Sequence, residues 1–217
     1  MQAKLQRQQT LSDARRTLVL DAARAVFDEV GVNGANIREI ARRAGYTPGA
    51  IYSYFDSKEA IYAALLAESL EALSEAVASA RIFKNRPDKT LVSQSLAWFG
   101  FYVAHPRHLE LGLDAEAPTV LQDGLFKALR PCEGALVAMG LTPVDALRET
   151  TALFAQGLGL LAMQGAARLP APGLSAQALF KQYVEQLVAR HATAAEAALL
   201  PADSDVDGGL EQVDLFE

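Results

Sequence analysis

The chain has 217 residues, of which 51% are hydrophobic, and a formal net charge of -6, a composition typical of an ordinary folded protein. No apolar run approaches the roughly 20 residues needed to cross a bilayer, and the single cysteine excludes an internal disulfide and a cysteine-rich zinc site. These features predict a cytoplasmic protein that does not enter a membrane.

The charges are unevenly distributed along the chain. Residues 1–60 contain nine Lys/Arg and seven Asp/Glu, whereas residues 61–217 contain eleven and nineteen. Lys4, Arg7, Arg15 and Arg16 make this end of the chain basic, and we expect residues 1–11 to form a flexible basic arm, which is either solvated or in contact with DNA. The overall acidity disfavours a nonspecific DNA binder, because nonspecific affinity depends on neutralising phosphates.

Apolar residues recur at helical spacing almost throughout, without an alternating strand pattern, which predicts an all-α protein. The first helix is expected over about residues 12–30, before Gly31. The second begins after Asn36, an N-cap residue with Glu39 three positions on, and ends at Gly45. The third has Thr47 as N-cap and ends near residue 56.

These two short helices, joined by residues 45–47 and crossed by the first helix, have the spacing of a helix-turn-helix. With Ile51 and Phe55 facing inward, Tyr52, Ser53 and Tyr54 are expected on the opposite face, where phenol and hydroxyl groups suit DNA. Lys58 opposes the dipole of the next helix, which indicates a phosphate site.

The remaining sequence predicts further helices. A long one runs from residue 56 or 57 to about 82, and residues 84–89 break the pattern. Pro131 is expected to kink or break the helix that contains it. Residues 201–217 are acidic and are expected to be mobile. The other helices are expected at about 88–104, after Pro106, and at 118–140, 142–168 and 175–199.

The segment NIREIARRAGYTPGAIYSYFDSKEAIYAAL, residues 36–65, closely resembles the DNA-binding core of TetR-family transcriptional regulators, and the likeness extends over about residues 12–66. The resemblance implies a helix-turn-helix domain at 12–56 and a helical ligand-binding and dimerisation domain at 57–200. It implies a homodimer without cofactor or enzymatic activity, which represses transcription from a palindromic double-stranded DNA operator until a small-molecule inducer releases it.

The resemblance also implies which residues contact DNA. Arg38 would contact a base or a phosphate, Tyr52 and Lys58 would hold phosphates, and small residues would let the third helix enter the major groove. The implied DNA-binding residues are Asn36, Arg38, Thr47, Pro48, Gly49, Ala50, Tyr52, Ser53, Tyr54 and Lys58.

Candidates in the C-terminal domain come from aromatic and small residues on helices. Gly157, Gly159 and Gly165 are costly within a helix unless a close helix contact offsets the cost. The candidate ligand-binding residues are Trp98, Phe101, Tyr102, His105, Phe126, Met139, Phe154 and Met163. The candidate dimer-interface residues are Gln156, Gly157, Gly159, Leu160, Phe180, Tyr183 and Leu187.

Other functions receive less support. A helical small-molecule-binding protein or enzyme with a vestigial head would require a binding or catalytic constellation, and no catalytic one is found in the sequence. His105 and His108, with Glu110 nearby, could form a metal pair, but no third ligand is fixed, and His-Pro is also a natural helix start. Cys132 could sense redox state, but a lone cysteine in an apolar helix is more often inert.

Overall fold

In the computed structural model, residues 2–113, 118–169 and 173–199 are described. Helices account for nearly all of them, and the described part contains no strand, which confirms the all-α prediction. The acidic residues 201–217 lie outside it. The helices are α1 (Gln2–Gly34), α2 (Ile37–Ala44), α3 (Pro48–Ile51), α4 (Lys58–Ala78), α5 (Pro87–Ala104), α6 (Pro106–Leu113), α7 (Pro118–Ala138), α8 (Pro143–Gly165) and α9 (Ala176–Leu199).

Short polar residues and glycines set the boundaries of the first helices, as the sequence predicts. Asn36 and Ser57 cap α2 and α4 by accepting hydrogen bonds from backbone N–H groups three residues on. Gly45 ends α2 with φ at 74°, in the left-handed region that glycine adopts without a steric cost. The predicted N-cap residue and the predicted terminating glycine of α2 are therefore both confirmed.

The structure differs from the predicted boundaries at several places. Helix α1 begins at Gln2 rather than at about residue 12, so it includes the segment expected as a flexible arm. Gly31 interrupts its helical geometry, with φ 71° and ψ -179°, but helical residues continue to Gly34. Helix α4 ends at Ala78, before the predicted boundary, and α7 continues through Pro131 without a break.

The buried side chains form one connected hydrophobic cluster that runs from α1 to α9. Helix α4 joins the two parts of the chain, because it packs against α1 and α6 and also against α5 and α7. Helices α8 and α9 pack against each other and against α5. In the described residues, no helix is sufficiently long and apolar to cross a membrane.

Candidate nucleic-acid interface

Helix α3 is held in place by two apolar side chains and by an arginine from α1. Ile51 and Phe55 are fully buried. The Arg16 guanidinium lies 3.9 Å from the centroid of the Phe55 ring, and its Nη1 donates a 2.7 Å hydrogen bond to the carbonyl oxygen of Tyr54. Arg16 therefore fixes the end of the α3 segment to α1.

Sequence reasoning missed this function of Arg16 by grouping it with the basic end of the chain. The available signal was its helical phase. Arg16 lies three residues before Val19, the first buried residue of α1, so both belong to one helix face. The Arg16 guanidinium on that face therefore lies within reach of the α3 segment.

The start of α3 presents small, exposed groups to solvent. Thr47, Pro48 and Gly49 are exposed and Ala50 is half-buried. Thr47 Oγ1 accepts a 3.3 Å hydrogen bond from the Ala50 N–H, which leaves its own hydroxyl proton available to a ligand. This arrangement gives close access to the α3 backbone.

The α3 segment is shorter as a regular helix than predicted. Its α-helical part ends at Ile51, and residues 52–54 continue as a turn in which Ser53 and Tyr54 N–H groups bond to carbonyls three residues back. Tyr52 is 52% exposed and Ser53 is also exposed. Both side chains are thus available to a partner.

Tyr54 does not share that exposure. Its side chain is half-buried, and its ring packs against Tyr46 of the turn with centroids 5.9 Å apart. The expectation that Tyr52, Ser53 and Tyr54 all face outward is therefore only partly correct. The turn residue Tyr46 supplies an aromatic neighbour that covers one side of Tyr54.

Lys58 occupies the first turn of α4, but its amino group points back to the N-terminal unit of α1, α2 and α3, here called the head. Its Nζ donates to the carbonyl oxygen of Val32 at 3.4 Å and lies 5.0 Å from the centroid of the Tyr62 ring. Tyr62 donates to the same carbonyl at 3.1 Å. A phosphate at this site would compete with these contacts for the lysine.

The three arginines of α2 differ in their availability to DNA. Glu39 accepts hydrogen bonds from Arg42 and Arg43, and Arg43 also bonds to Glu29 of α1. Hydrogen bonds from the two arginines lower the pKa of Glu39 to about 2. Arg38 is exposed, and none of the ion pairs between described residues includes it. Arg38 is therefore the arginine of α2 that is exposed and makes no ion pair with another described residue.

Asn36, at the start of α2, is exposed and already has a structural function. Its Oδ1 accepts a 3.0 Å hydrogen bond from the Glu39 N–H. The amide NH₂ group of the same side chain remains on the exposed side as a donor. Asn36 can thus cap α2 and donate to an anion at the same time.

The candidate ligand-binding residues separate into a buried group and a surface group. Trp98, Tyr102 and Phe154 are buried, and the Trp98 ring centroid lies 5.4 Å from Tyr102 and 4.3 Å from Phe154. Burial raises the pKa of Tyr102 to about 12. Phe126 and Met163 are 47% and 39% exposed, so the structure does not bring them to the aromatic cluster.

The other three candidates lie outside this buried group. Phe101 and Met139 are half-buried and pack against the core. His105 is exposed, with its ring centroid 5.0 Å from that of Phe101. Because the Phe101 ring centroid also lies 5.4 Å from that of Tyr102, Phe101 and His105 border the aromatic cluster.

Several candidate dimer residues are buried inside the subunit and cannot present their side chains to a partner. Phe180 and Leu187 are fully buried, Leu160 is 7% exposed and Gly157 is buried. A close helix contact at Gly157 was expected to offset the cost of a glycine within a helix. That contact exists, but it is made with Trp98 and Phe180 of the same chain. This corrects the interface expected at these four positions. Gln156 and Gly159 are exposed and Tyr183 is half-buried.

The rings of His105 and His108 lie close together, with centroids 5.1 Å apart, but His108 has another polar partner. His108 Nδ1 lies 2.9 Å from Ser69 Oγ, and Glu110 pairs with Arg107. In the described ranges no group of three or more His, Cys, Asp or Glu side chains could hold a metal ion. Burial and the neighbouring His105 lower the pKa of His108, which favours its neutral form.

Sequence reasoning also missed a cavity beside His108. It has a volume of about 240 Å³ and lies between α1, α4 and α6. No sequence pattern could show it, because it exists only where three separate helices meet. Its lining residues are Arg24, Phe27, Leu65, Glu68, Ser69, Ala72, His108 and Leu111.

Cys132 is 1% exposed on α7, and burial raises the pKa of its thiol to about 12. The thiolate is the reactive form, so we expect the native protein to resist Ellman's reagent at neutral pH. One thiol per chain should react after unfolding in denaturant. Rapid reaction of the folded protein would contradict this and restore the redox-sensor hypothesis.

Comparison with known proteins identifies the head and the fold. The family model described as bacterial regulatory proteins, tetR family, matches residues 19–65. The A-factor receptor protein of Streptomyces griseus is 52% identical over 50 residues, which are 23% of this chain and 18% of that protein. The HTH-type transcriptional regulator UidR of Escherichia coli K12 is 36% identical over 63 residues, 29% of this chain and 32% of the relative.

The chain thus spans less than a third of the length of these two relatives, and the family match lies in the head. The fold similarity extends further. A TetR-like transcriptional regulator from Rhodococcus sp. RHA1 has a solved structure that covers 82% of this chain and 96% of its own, with a TM-score of 0.60 and 20% identity. Residues 19–65 thus match the tetR family of bacterial regulatory proteins, and the chain as a whole shares the fold of this solved structure.

Proposed function

We propose that the protein is a homodimeric transcriptional repressor that binds a palindromic operator and is released by a small-molecule effector. The observation that carries this proposal is the exposed start of α3, where Thr47, Pro48 and Gly49 leave the backbone accessible. Tyr52 and Ser53 extend the same accessible surface. A narrow helix start with hydroxyl groups beside it suits entry into the major groove.

The charge pattern favours sequence-specific binding over nonspecific binding. Arg42 and Arg43 are held by carboxylates of the same chain, so Arg38 is the arginine of α2 that we propose for contact with DNA. A net charge of -6 opposes general attraction to phosphates. Affinity would then depend on groups that fit one sequence.

The proposed function divides the chain into two domains. We propose that residues 12–56 bind the operator and residues 57–200 bind the effector and the second subunit. Within the described part of the chain, α4 runs from the head into the C-terminal helices, and α6 contacts α1. The two helices are close at Gly31, where a Cβ would lie 3.1 Å from Arg107 Nη1 of α6. A movement of α6 would therefore displace α1.

An effector in the C-terminal helices could therefore change the separation of the two heads. Such coupling between two sites is typically about 1 to 3 kcal/mol. This is sufficient to change operator affinity roughly 5- to 150-fold.

The dimer contact is better placed on the exposed face of α8 than at the buried residues expected from the sequence. Val144 and Leu147 are 59% and 41% exposed, and Met163 is 39% exposed. Gly159 and Gln156 lie on the exposed part of the same helix. Exposed apolar side chains along one helix favour contact with a second copy.

The alternative is a helical small-molecule-binding protein or enzyme with a vestigial head. That hypothesis does not require an accessible α3 start or an unpaired Arg38. Conversion of a bound metabolite into a product by the purified protein, without operator binding, would favour the alternative.

Electrophoretic shift with DNA fragments from the gene's own neighbourhood tests the proposal. We expect one fragment to bind, and Arg38→Ala to weaken its binding by about 1 to 3 kcal/mol if Arg38 contacts a base. If Arg38 contacts a phosphate, the slope of log affinity against log salt should fall by about one unit.

Lys89→Ala is the matched control, because Lys89 is an exposed cation on α5, outside the head. Its operator affinity and salt slope should equal those of the parent protein. Failure of every fragment to bind at low salt, or equal losses in the two variants, would contradict the proposal.

A further inference from the structure

Among the described residues, three buried polar atoms of the C-terminal helices have no hydrogen-bond partner: Gln94 Oε1, Trp98 Nε1 and Thr150 Oγ1. The three residues are 5%, 1% and 2% exposed. Buried polar groups in proteins are nearly always hydrogen-bonded, and an unpaired one destabilises the fold. Three such atoms therefore call for a physical explanation.

Two of the atoms lie on one face of α5, and that face meets α8. Gln94 and Trp98 are four residues apart and are neighbours on the helix surface. The Trp98 ring packs on Phe154 of α8 and approaches Gly157 one turn later. The face of α5 that carries the unpaired atoms is thus directed at α8.

The relative directions of α5, α8 and α9 place Thr150 of α8 beside the two residues of α5. Phe99 of α5 stacks on Phe180 near the start of α9, while Asp88, at the other end of α5, shares a groove with Val188. Helix α5 therefore runs antiparallel to α9.

Helix α8 also runs antiparallel to α9, because Glu149 bonds to His191 whereas Gly157 approaches Phe180. Helices α5 and α8 are consequently parallel to each other. Thr150 lies one turn before Phe154, as Gln94 lies one turn before Trp98. Gln94 and Thr150 are thus at the same level of two facing helices.

The three groups define a complementary hydrogen-bonding pattern. The indole N–H of Trp98 can only donate, Gln94 Oε1 accepts, and the Thr150 hydroxyl does both. A ligand that satisfies them has an acceptor oxygen next to an N–H or O–H donor. Trp98 and Phe154 provide flat apolar surfaces beside these groups.

The charge of the surroundings limits the ligand further. Among described residues, the buried polar side chains are all neutral: Ser69, Ser74, Thr90, Gln94, Ser95 and Thr150. An ionised ligand at this level would have no buried countercharge and would lose its hydration. The site therefore favours an uncharged molecule.

We propose that Gln94, Trp98 and Thr150 recognise the effector, and that the effector is an uncharged, planar compound with a carbonyl acceptor adjacent to an N–H or O–H donor. This rests on the proposed effector-binding function of the C-terminal domain. The ligand carbonyl accepts from the Trp98 N–H and the Thr150 hydroxyl, and the ligand donor binds Gln94 Oε1. Insertion separates α5 from α8 and moves the helices that pack on α4.

Trp98 makes a direct test possible, because it is the one tryptophan of the chain. Protein labelled with fluorotryptophan should give a single fluorine NMR resonance from this site. The probes are a panel of bicyclic lactams that includes carbostyril, each with its N-methyl derivative, together with the anion quinaldate. We expect the lactams to shift the resonance, the N-methyl derivatives to bind roughly tenfold or more weakly, and quinaldate not to bind.

Gln94→Leu and Thr150→Val remove an unpaired polar atom with little change of shape. Each should raise the melting temperature of the ligand-free protein, since the cost of an unpaired buried group is removed. Gln94→Leu should also bring the affinities of each lactam and its N-methyl derivative within about twofold, because the donor loses its partner.

Thr90→Val is the matched control. Thr90 is also buried, but its hydroxyl accepts from the Phe83 N–H and donates to the Arg86 carbonyl. The control should lower the melting temperature and keep the discrimination between each lactam and its N-methyl derivative.

The proposal is overturned if no lactam shifts the resonance, if lactams and their N-methyl derivatives bind equally, or if Gln94→Leu retains the discrimination. The assay contains no DNA. A protein that binds lactams but no operator would therefore refute the proposed repressor function alone, and one that binds an operator but no lactam would refute this ligand class alone.

Discussion

We expect Gly157→Val to lower the free energy of unfolding by about 3 kcal/mol or more, at the upper end of the range for overpacked cores. A Cβ on Gly157 would lie 2.4 Å from Trp98 Cζ3 and 2.9 Å from Phe180 Cε2. Without a ligand between α5 and α8, displacing either ring would break other contacts, because Trp98 packs on Phe154 and Phe180 stacks on Phe99 with centroids 4.5 Å apart. The strain must therefore spread to α5, α8 and α9.

Gly134→Val is the matched control, since it makes the same substitution within another helix, α7, away from the proposed dimer contact on α8. Gly134 is exposed, and a Cβ there would have no neighbour within 4 Å. Valine is a somewhat better helix former than glycine, so stability should be unchanged or slightly higher. Urea unfolding of both variants measures the difference, and similar stabilities would show that α8 does not pack as described.

The helix-turn-helix could be predicted because its signals are local. Asn36 and Thr47 cap helices through their own side chains, and Gly45 takes a left-handed conformation that few other residues adopt. Such features depend on neighbours within a few residues. The order and type of the helices followed from them, and the predicted all-α fold is confirmed.

The parts that failed depend on contacts between distant segments. Helical spacing indicates that one face of α8 carries apolar or small residues. It does not indicate whether the same chain or a second copy covers that face. Gly157 was consequently expected at a dimer contact, whereas Trp98 and Phe180 cover it. Tyr54 was expected to be exposed for the same reason, because only the folded head brings Tyr46 against its ring.

The proposed DNA contacts are surface groups, whereas the proposed ligand contacts are buried groups. Arg38 and Gly49 are exposed positions whose chemistry can be deduced from the sequence of the head. Gln94, Trp98 and Thr150 are distinctive only because the fold leaves their polar atoms unpaired. A sequence pattern can thus indicate what binds DNA, while the ligand class depends on the packing of α5 and α8.

The second large effect concerns the proposed DNA contact. We expect Gly49→Glu to weaken operator binding at least roughly a hundredfold, about 2.7 kcal/mol. Gly49 is exposed at the start of α3, and a Cβ there would meet nothing within 4 Å. The head can therefore accommodate glutamate without strain, and its carboxylate would face the phosphates of the bound duplex, where like charges cost several kcal/mol.

Gly134→Glu makes the same chemical change on α7, where the glycine is also exposed and a Cβ would have no neighbour within 4 Å. Both variants should unfold at nearly the parent temperature, so a difference in operator affinity cannot come from misfolding. We expect Gly134→Glu to bind the operator like the parent. Equal operator affinity of the two variants would mean that α3 does not enter the groove by its first turn. A loss in Gly49→Glu that persists across salt concentrations would indicate steric exclusion from the groove, because charge repulsion alone weakens as salt screens it.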